Sequence, residues 1–98
     1  MALIGYDPAK SARNLAERGL PFSLVERFDW ETALIAVDDR REYGEVRYQA
    51  LGLIDGRLHA LVFTTRGSTV HVISLRKANR REQQGHEKAQ ACADTDDP

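Results

Sequence analysis

Glu45 and Arg47 stand two residues apart in a stretch that alternates, with Glu45, Arg47 and Gln49 on one side and Val46, Tyr48 and Ala50 on the other. In an extended strand a spacing of two places side chains on one face. A carboxylate beside a guanidinium there has two readings. It is a proton acceptor next to a phosphate binder, or it is an exposed ion pair of the common kind that contributes little. Arg66 falls at a tight turn, and Ser74, Arg76 and Lys77 fall where an apolar run ends and a polar one begins. Arg76 and Lys77 near a helix start would add their charge to free backbone N–H groups, an arrangement that favours an anion such as phosphate. The alternative is that Arg76 closes the sheet and Lys77 is solvated. Arg66 and Arg76 lie at opposite ends of the fourth expected strand, so the sequence does not place them in one pocket.

Other chemistries find no support. His59, His71 and His86 are scattered, and no His-x-His, Cys-x-x-Cys or His-Glu-x-x-His pattern occurs, so no metal site is expected. The histidines read as partly exposed sheet residues rather than acids or bases. The single cysteine, Cys92, has no second thiol to pair with. Gly52, Gly56 and Gly67 are isolated turn glycines, with no phosphate-loop or dinucleotide pattern, and no serine sits in a nucleophile-elbow motif, so no cofactor is expected.

The elements that must position these residues follow from local signals. Asp7-Pro8 opens a helix over 8–18, with Asp7 as cap and Pro8 at the first helical position, and Gly19 closes it. Ser23 with Glu26 three residues on predicts a second helix, ending near Asp29-Trp30. The period then changes to that of strands, over 32–37, 44–54, 57–65 and 69–75. Asp55-Gly56 is a two-residue hairpin signal, and Arg66-Gly67-Ser68 a second tight turn. Residues 77–86 read as a last helix, and Tyr6 falls on a short first strand or extension. The expected fold is α+β: two N-terminal helices, a four-stranded antiparallel sheet and a C-terminal helix. One domain over 1–89 and a disordered acidic tail over 90–98 complete the division.

With 98 residues the chain has room for one modest core. Its charged and hydrophobic fractions, 30% and 42%, are those of a globular protein. There is no apolar run of membrane-spanning length, and the opening Met1-Ala-Leu-Ile-Gly-Tyr-Asp7 lacks signal-peptide features, so a cytoplasmic location is expected. The net charge of −1 hides an asymmetry: up to Gln83 there are 13 Lys and Arg against 11 Asp and Glu, and beyond it one against four. Eleven of the 14 cations are arginine, whose planar fork matches phosphate, although arginine is also an ordinary surface residue.

The order of the residues carries more. Tyr6-Asp7-Pro8-Ala9-Lys10 with Asn14, then Glu17-Arg18-Gly19-Leu20-Pro21-Phe22, then Asp39-Arg40, Tyr43-Gly44-Glu45-Val46-Arg47-Tyr48 and Gly52 form a series. Thr64-Thr65-Arg66, Ile73-Ser74-Leu75-Arg76-Lys77-Ala78 and Arg80-Arg81-Glu82 continue it. From Tyr6 to Glu87 this series resembles the BrnT toxins. The resemblance implies a RelE-like fold, metal-independent RNA cleavage that inhibits translation, and neutralisation by a cognate BrnA-like antitoxin, a ribbon–helix–helix DNA-binding protein. DNA would be met only through that partner, and no membrane is involved. For such cleavage Glu45 is the base candidate, Arg47, Arg66 and Arg76 are phosphate clamps, Ser74 is a substrate contact, and Lys10 and Lys77 are candidates for substrate contact or proton donation. Three positions depart from the family pattern: Glu17-Arg18 replaces a Lys-His pair, His71 an arginine, and His86 a tyrosine. These departures keep open an alternative, a catalytically degenerate toxin that serves as an antitoxin-binding co-repressor module.

Overall fold

The computed structural model describes residues 3–40, 42 and 44–95, with side chains as far as residue 91; Tyr43 and the Cys92 thiol therefore lie outside the described residues. Strand β1 (Leu3–Gly5) leads into helix α1 (Pro8–Arg18), a 3-10 helix (Phe22–Arg27), strands β2 (Leu34–Val37), β3 (Tyr48–Ile54), β4 (Arg57–Arg66) and β5 (Thr69–Lys77), and helix α2 (Arg80–Thr95). The strands form one sheet in the order β1-β5-β4-β3-β2.

The antiparallel meander expected from the turns is present, and so are its causes. Asp55 and Gly56 take positive φ of 52° and 81°, the conformation that a two-residue hairpin matching strand twist requires. The α1 caps also form as expected: Asp7 accepts from the Ala9 N–H at 2.9 Å, and Gly19 turns left-handed.

Three features correct the expected architecture. The sheet has five strands and is mixed, because β1 pairs in parallel with β5, Leu3 opposite Thr69 and Gly5 opposite His71. A short first strand or extension was expected at Tyr6, but the strand ends at Gly5, and three residues carry too little periodicity to reveal their partner. The second N-terminal helix is a short 3-10 element with Pro21 at its cap and no side-chain cap bond, so the Ser23–Glu26 box does not form. The last helix begins at Arg80 rather than 77, since β5 continues pairing to Lys77 opposite His59. It runs on to Thr95, across part of the segment 90–98, and Gln90 donates to the Thr32 carbonyl at 3.1 Å.

One face of the sheet carries the core. Phe22, Val25 and Phe28 pack on Ala50, Ile54, Leu61, Phe63, Val72 and Leu75. Helix α1 buries only Ser11 and is held by polar bonds instead. Ser11 Oγ accepts from the Phe22 N–H at 2.9 Å, and Asn14 Nδ2 donates to the Leu20 and Leu75 carbonyls at 2.7 and 3.0 Å. Asn14 thus gives the β5 edge, past the end of β1, a partner it would otherwise lack.

Helix covers the opposite face at one end only. Helix α2 lies over the β3–β4 hairpin, where Leu53, Leu58, Gln83 and His86 border a small cavity of about 130 Å³. At the far end Thr64 is buried, its Oγ1 donating to the Val46 carbonyl, and the stretch between is open. Beside it β2 forms the outer edge, with Leu34, Ile35 and Val37 all exposed.

Candidate functional site

Alternation along β4 and β5 sorts the candidate residues. Ala60, Val62, Thr64 and Arg66 share one side of β4, and their partners Arg76, Ser74, His71 and Thr69 share the same side of β5. A register slip between Val62 and Phe63 leaves Ile73 unpaired and keeps Ser74 and His71 on this side. Leu61, Phe63, Val72 and Leu75 point the other way, into the core. The open face therefore carries Arg66, His71, Ser74 and Arg76 together. Lys77 pairs with His59 and alternates to the opposite face, so the structure does not bring it to the others.

At the end of this face nearest the β4–β5 turn, Glu45 lies between two arginines. Arg47 Nε is 3.5 Å from its Oε2, and an Arg66 terminal nitrogen is 3.7 Å from its Oε1. The segment carrying Glu45 is not strand, as 44–54 was expected to be; β3 starts only at Tyr48. Gly44 has a φ of 76°, and the Val46 carbonyl accepts from the β4 side chain Thr64 Oγ1 at 2.7 Å rather than from a backbone N–H. Asp38 N–H pins the Arg47 carbonyl at 2.8 Å. These bonds seat Glu45 and Arg47 over β4 beside Arg66. His71, opposite Thr64, belongs to the same cluster. Burial holds its imidazole below the usual pKa, and the charge of Arg66 adds to the effect while Glu45 opposes it.

The other end of the face is a groove of about 340 Å³. Its floor is apolar, with Leu51, Ala60 and Val62; Gln49, Ser74, Arg18, Arg40 and Arg76 stand around it. Two of these arginines are held by carboxylates. The buried Asp38 takes Arg40 through two bonds of 2.8 Å. Glu82 takes Arg76 through two more of 2.8 Å. Arg18 reaches the Leu75 carbonyl at 3.4 Å. Ser74 also borders a shallow hollow with Lys10 and Arg13 of α1, so helix cations flank the face along its β5 side.

Arg66 is paired with Thr69 and Arg76 with Ala60, six residues apart along β4 or about 20 Å at the rise of an antiparallel strand. The two ends are thus separate positions on one cationic track rather than one pocket. The anion site expected at the last helix start is also altered. Asn79 Oδ1 accepts from the Glu82 N–H at 2.8 Å, and Glu82 Oε1 accepts from the Asn79 N–H at 2.9 Å, which occupies donors at that terminus.

Four residues of the site escaped the sequence reading: Arg18, Arg40, Glu82 and His71. Local signals existed for two of them. Asp38-x-Arg40 has the same two-residue spacing as Glu45-x-Arg47, and Asn79-x-x-Glu82 is a capping-box spacing. His86, the departure in the last helix, is buried and its Nε2 lies 2.9 Å from the Thr32 carbonyl, so it serves the seat of α2.

His59 and His71 should make stability pH-dependent. Burial also holds His59 below the usual pKa, with Arg57 and Lys77 charges adding to it. A histidine whose folded pKa is lowered binds its proton more weakly than in the unfolded chain. The unfolded state then takes up more protons below about pH 6.5, and stability falls as pH falls through that range. Thermal unfolding should show Tm lower at about pH 5.5 than at pH 7.5, with His59→Gln and His71→Gln each removing part of the drop. A Tm that does not move over this range would contradict the assignment.

No helix among the described residues is long and apolar enough to cross a membrane. Comparison with curated proteins gives no match. The sequence model of the family described as "ribonuclease toxin, BrnT, of type II toxin-antitoxin system" matches residues 6–82, a span that holds the Glu45 cluster, the groove and Glu82. The chain belongs to the BrnT family of ribonuclease toxins of type II toxin–antitoxin systems.

Proposed function

We propose that this chain cuts RNA without a metal ion, that the strand lies along the open face, and that cleavage occurs at Glu45. The observation that carries the reading is the carboxylate of Glu45 set between Arg47 and Arg66, at one end of a face whose other end presents Arg76 and Ser74. Glu45 takes the proton of a ribose 2′-OH, and the oxygen attacks the adjacent phosphorus. Arg47 and Arg66 stabilise the charge that develops on the phosphorane oxygens. The P–O5′ bond breaks, and the leaving oxygen takes a proton from Lys10, leaving a 2′,3′-cyclic phosphate and a 5′-hydroxyl. Arg76, with Ser74 beside it, holds a phosphate further along the strand, over an apolar floor that accepts ribose and base edges.

The partner in this reading is a BrnA-like ribbon–helix–helix antitoxin, through which alone the chain meets DNA. The exposed apolar edge at Leu34, Ile35 and Val37, next to the groove, is the kind of surface a protein partner covers. A second reading, an inactive toxin that still binds its antitoxin, is favoured by His86, which replaces the family's tyrosine and is buried against Thr32.

Induced expression in a bacterial host, wild type beside Arg76→Ala, separates the two. Growth arrest with degraded RNA in the wild type and neither in the variant is the expected result. A soluble, folded wild type that leaves growth and RNA intact would replace the first reading with the second.

A further inference from the structure

Arg76 is not an isolated surface cation. Its two terminal nitrogens meet the two oxygens of Glu82, each at 2.8 Å, in the parallel fork that gives arginine–carboxylate pairs their geometric definition. Glu82 is in turn fixed from the other side, because its Oε1 and its own N–H form the reciprocal box with Asn79 at the start of α2. Strand β5 and helix α2 are therefore joined through one carboxylate. The box by itself does not need a carboxylate, since glutamine serves at this position equally well. Only the second oxygen, Oε2, distinguishes the two, and its partner is Arg76. These bonds keep the guanidinium charged and hold the Glu82 carboxyl in its ionised form.

We infer that Glu82 is the positioning residue for Arg76, locking the guanidinium so that its remaining donors face the open sheet and meet a phosphate already oriented. A guanidinium has five N–H donors in a rigid plane. Two go to Glu82 and one lies 3.4 Å from the Lys77 carbonyl. That leaves the Nε–H and one hydrogen of the other terminal nitrogen, on a residue that lines the groove. An arginine with no such support would have to lose its rotamer freedom on gripping RNA, and that cost would weaken the grip. Asp38 holds Arg40 across the groove by the same device. The phosphate part of the inference rests on the ribonuclease reading; the orientation of Arg76 does not.

Glu82→Gln and Asn79→Ala divide the two roles of the carboxylate. The glutamine keeps the helix cap and loses the fork; the alanine loses half of the cap and keeps the fork. Three measurements on the purified full chain are compared: the Arg76 Nε–H resonance by NMR without RNA, binding of an uncuttable 2′-O-methyl RNA oligonucleotide by anisotropy, and kcat and KM on ordinary RNA. Glu82→Gln should shift or broaden the Arg76 resonance and weaken oligonucleotide binding and kcat/KM by about tenfold or more at nearly unchanged Tm. Asn79→Ala should lower Tm and leave the resonance and the affinity near wild type. An unchanged Arg76 resonance in Glu82→Gln overturns the inference. So does tighter binding or faster cleavage, which would make Glu82 a competitor of phosphate. If the wild type neither binds nor cuts RNA, the ribonuclease reading fails by itself, and the resonance still decides whether Glu82 orients Arg76.

Discussion

Glu45→Gln is expected to slow RNA cleavage by about 10²-fold or more while changing RNA affinity only a few-fold. The amide keeps the size and the hydrogen-bonding shape of the side chain but cannot take a proton from the 2′-OH. Glu45 is about one-third exposed and both its arginines are beyond 3.4 Å, so no tight pair competes for its lone pairs. The variant also removes a negative charge from between Arg47 and Arg66, which by itself favours phosphate. Binding that holds or tightens while cleavage collapses is thus the signature of a base. Single-turnover cleavage beside anisotropy with an uncuttable strand separates the two quantities. Substantial cleavage by Glu45→Gln would reduce Glu45 to an orienter of the arginines. His71, kept largely neutral by burial and by Arg66, would then be the next proton acceptor on the same face.

The largest expected loss of stability from one small change lies at Gly52. A Cβ built there would stand 2.3 Å from the Phe28 ring, whose other edge atoms follow at 2.7 and 2.8 Å. Phe28 is itself buried, and its ring packs edge-on against Trp30 with centroids 4.6 Å apart, so it has nowhere to retreat. Gly52→Val should cost about 3 kcal/mol, the upper part of the range for overpacking. That is a large share of the roughly 5–15 kcal/mol that holds a domain of this size. Gly85 makes the contrast. It lies in α2 with nothing within 4 Å of its added Cβ, and Gly85→Ala should stabilise the chain by up to about 1 kcal/mol through helix propensity. Urea unfolding of both variants reads these directly. A Gly52→Val chain as stable as wild type would mean that Phe28 does not seal the core against β3.

What was legible in advance was local. Asp7, Pro8 and Gly19 cap α1 because each favours its own backbone geometry or satisfies an N–H close by in the chain. Asp55-Gly56 closes a hairpin because two residues with positive φ match the twist of its strands. Glu45 and Arg47 do meet, at 3.5 Å, but not through the strand alternation expected of them, since β3 starts only at Tyr48. The misses were of two kinds. Ser23 and Glu26 had capping-box spacing, but Pro21 and the packing of Phe22, Val25 and Phe28 drew the segment into a 3-10 turn. Lys77 sits next to Arg76 in the chain, and neighbours on a strand cannot share a face.

By itself, then, the sequence determined the caps, the hairpins, the α+β class and, through the order of its motifs, the BrnT family, because these depend on spacings of a few residues and on residue identity. Tertiary structure alone decided which side chains meet. Parallel pairing of β1 with β5, Asn14 bonding to Leu75 sixty-one residues away, and Glu82 bridging α2 to β5 all depend on strand register and helix placement. Those are set by burying one face of the whole sheet at once. The same burial leaves much of the other face open, and it is there that Glu45, Arg66, His71, Ser74 and Arg76 lie along a single track.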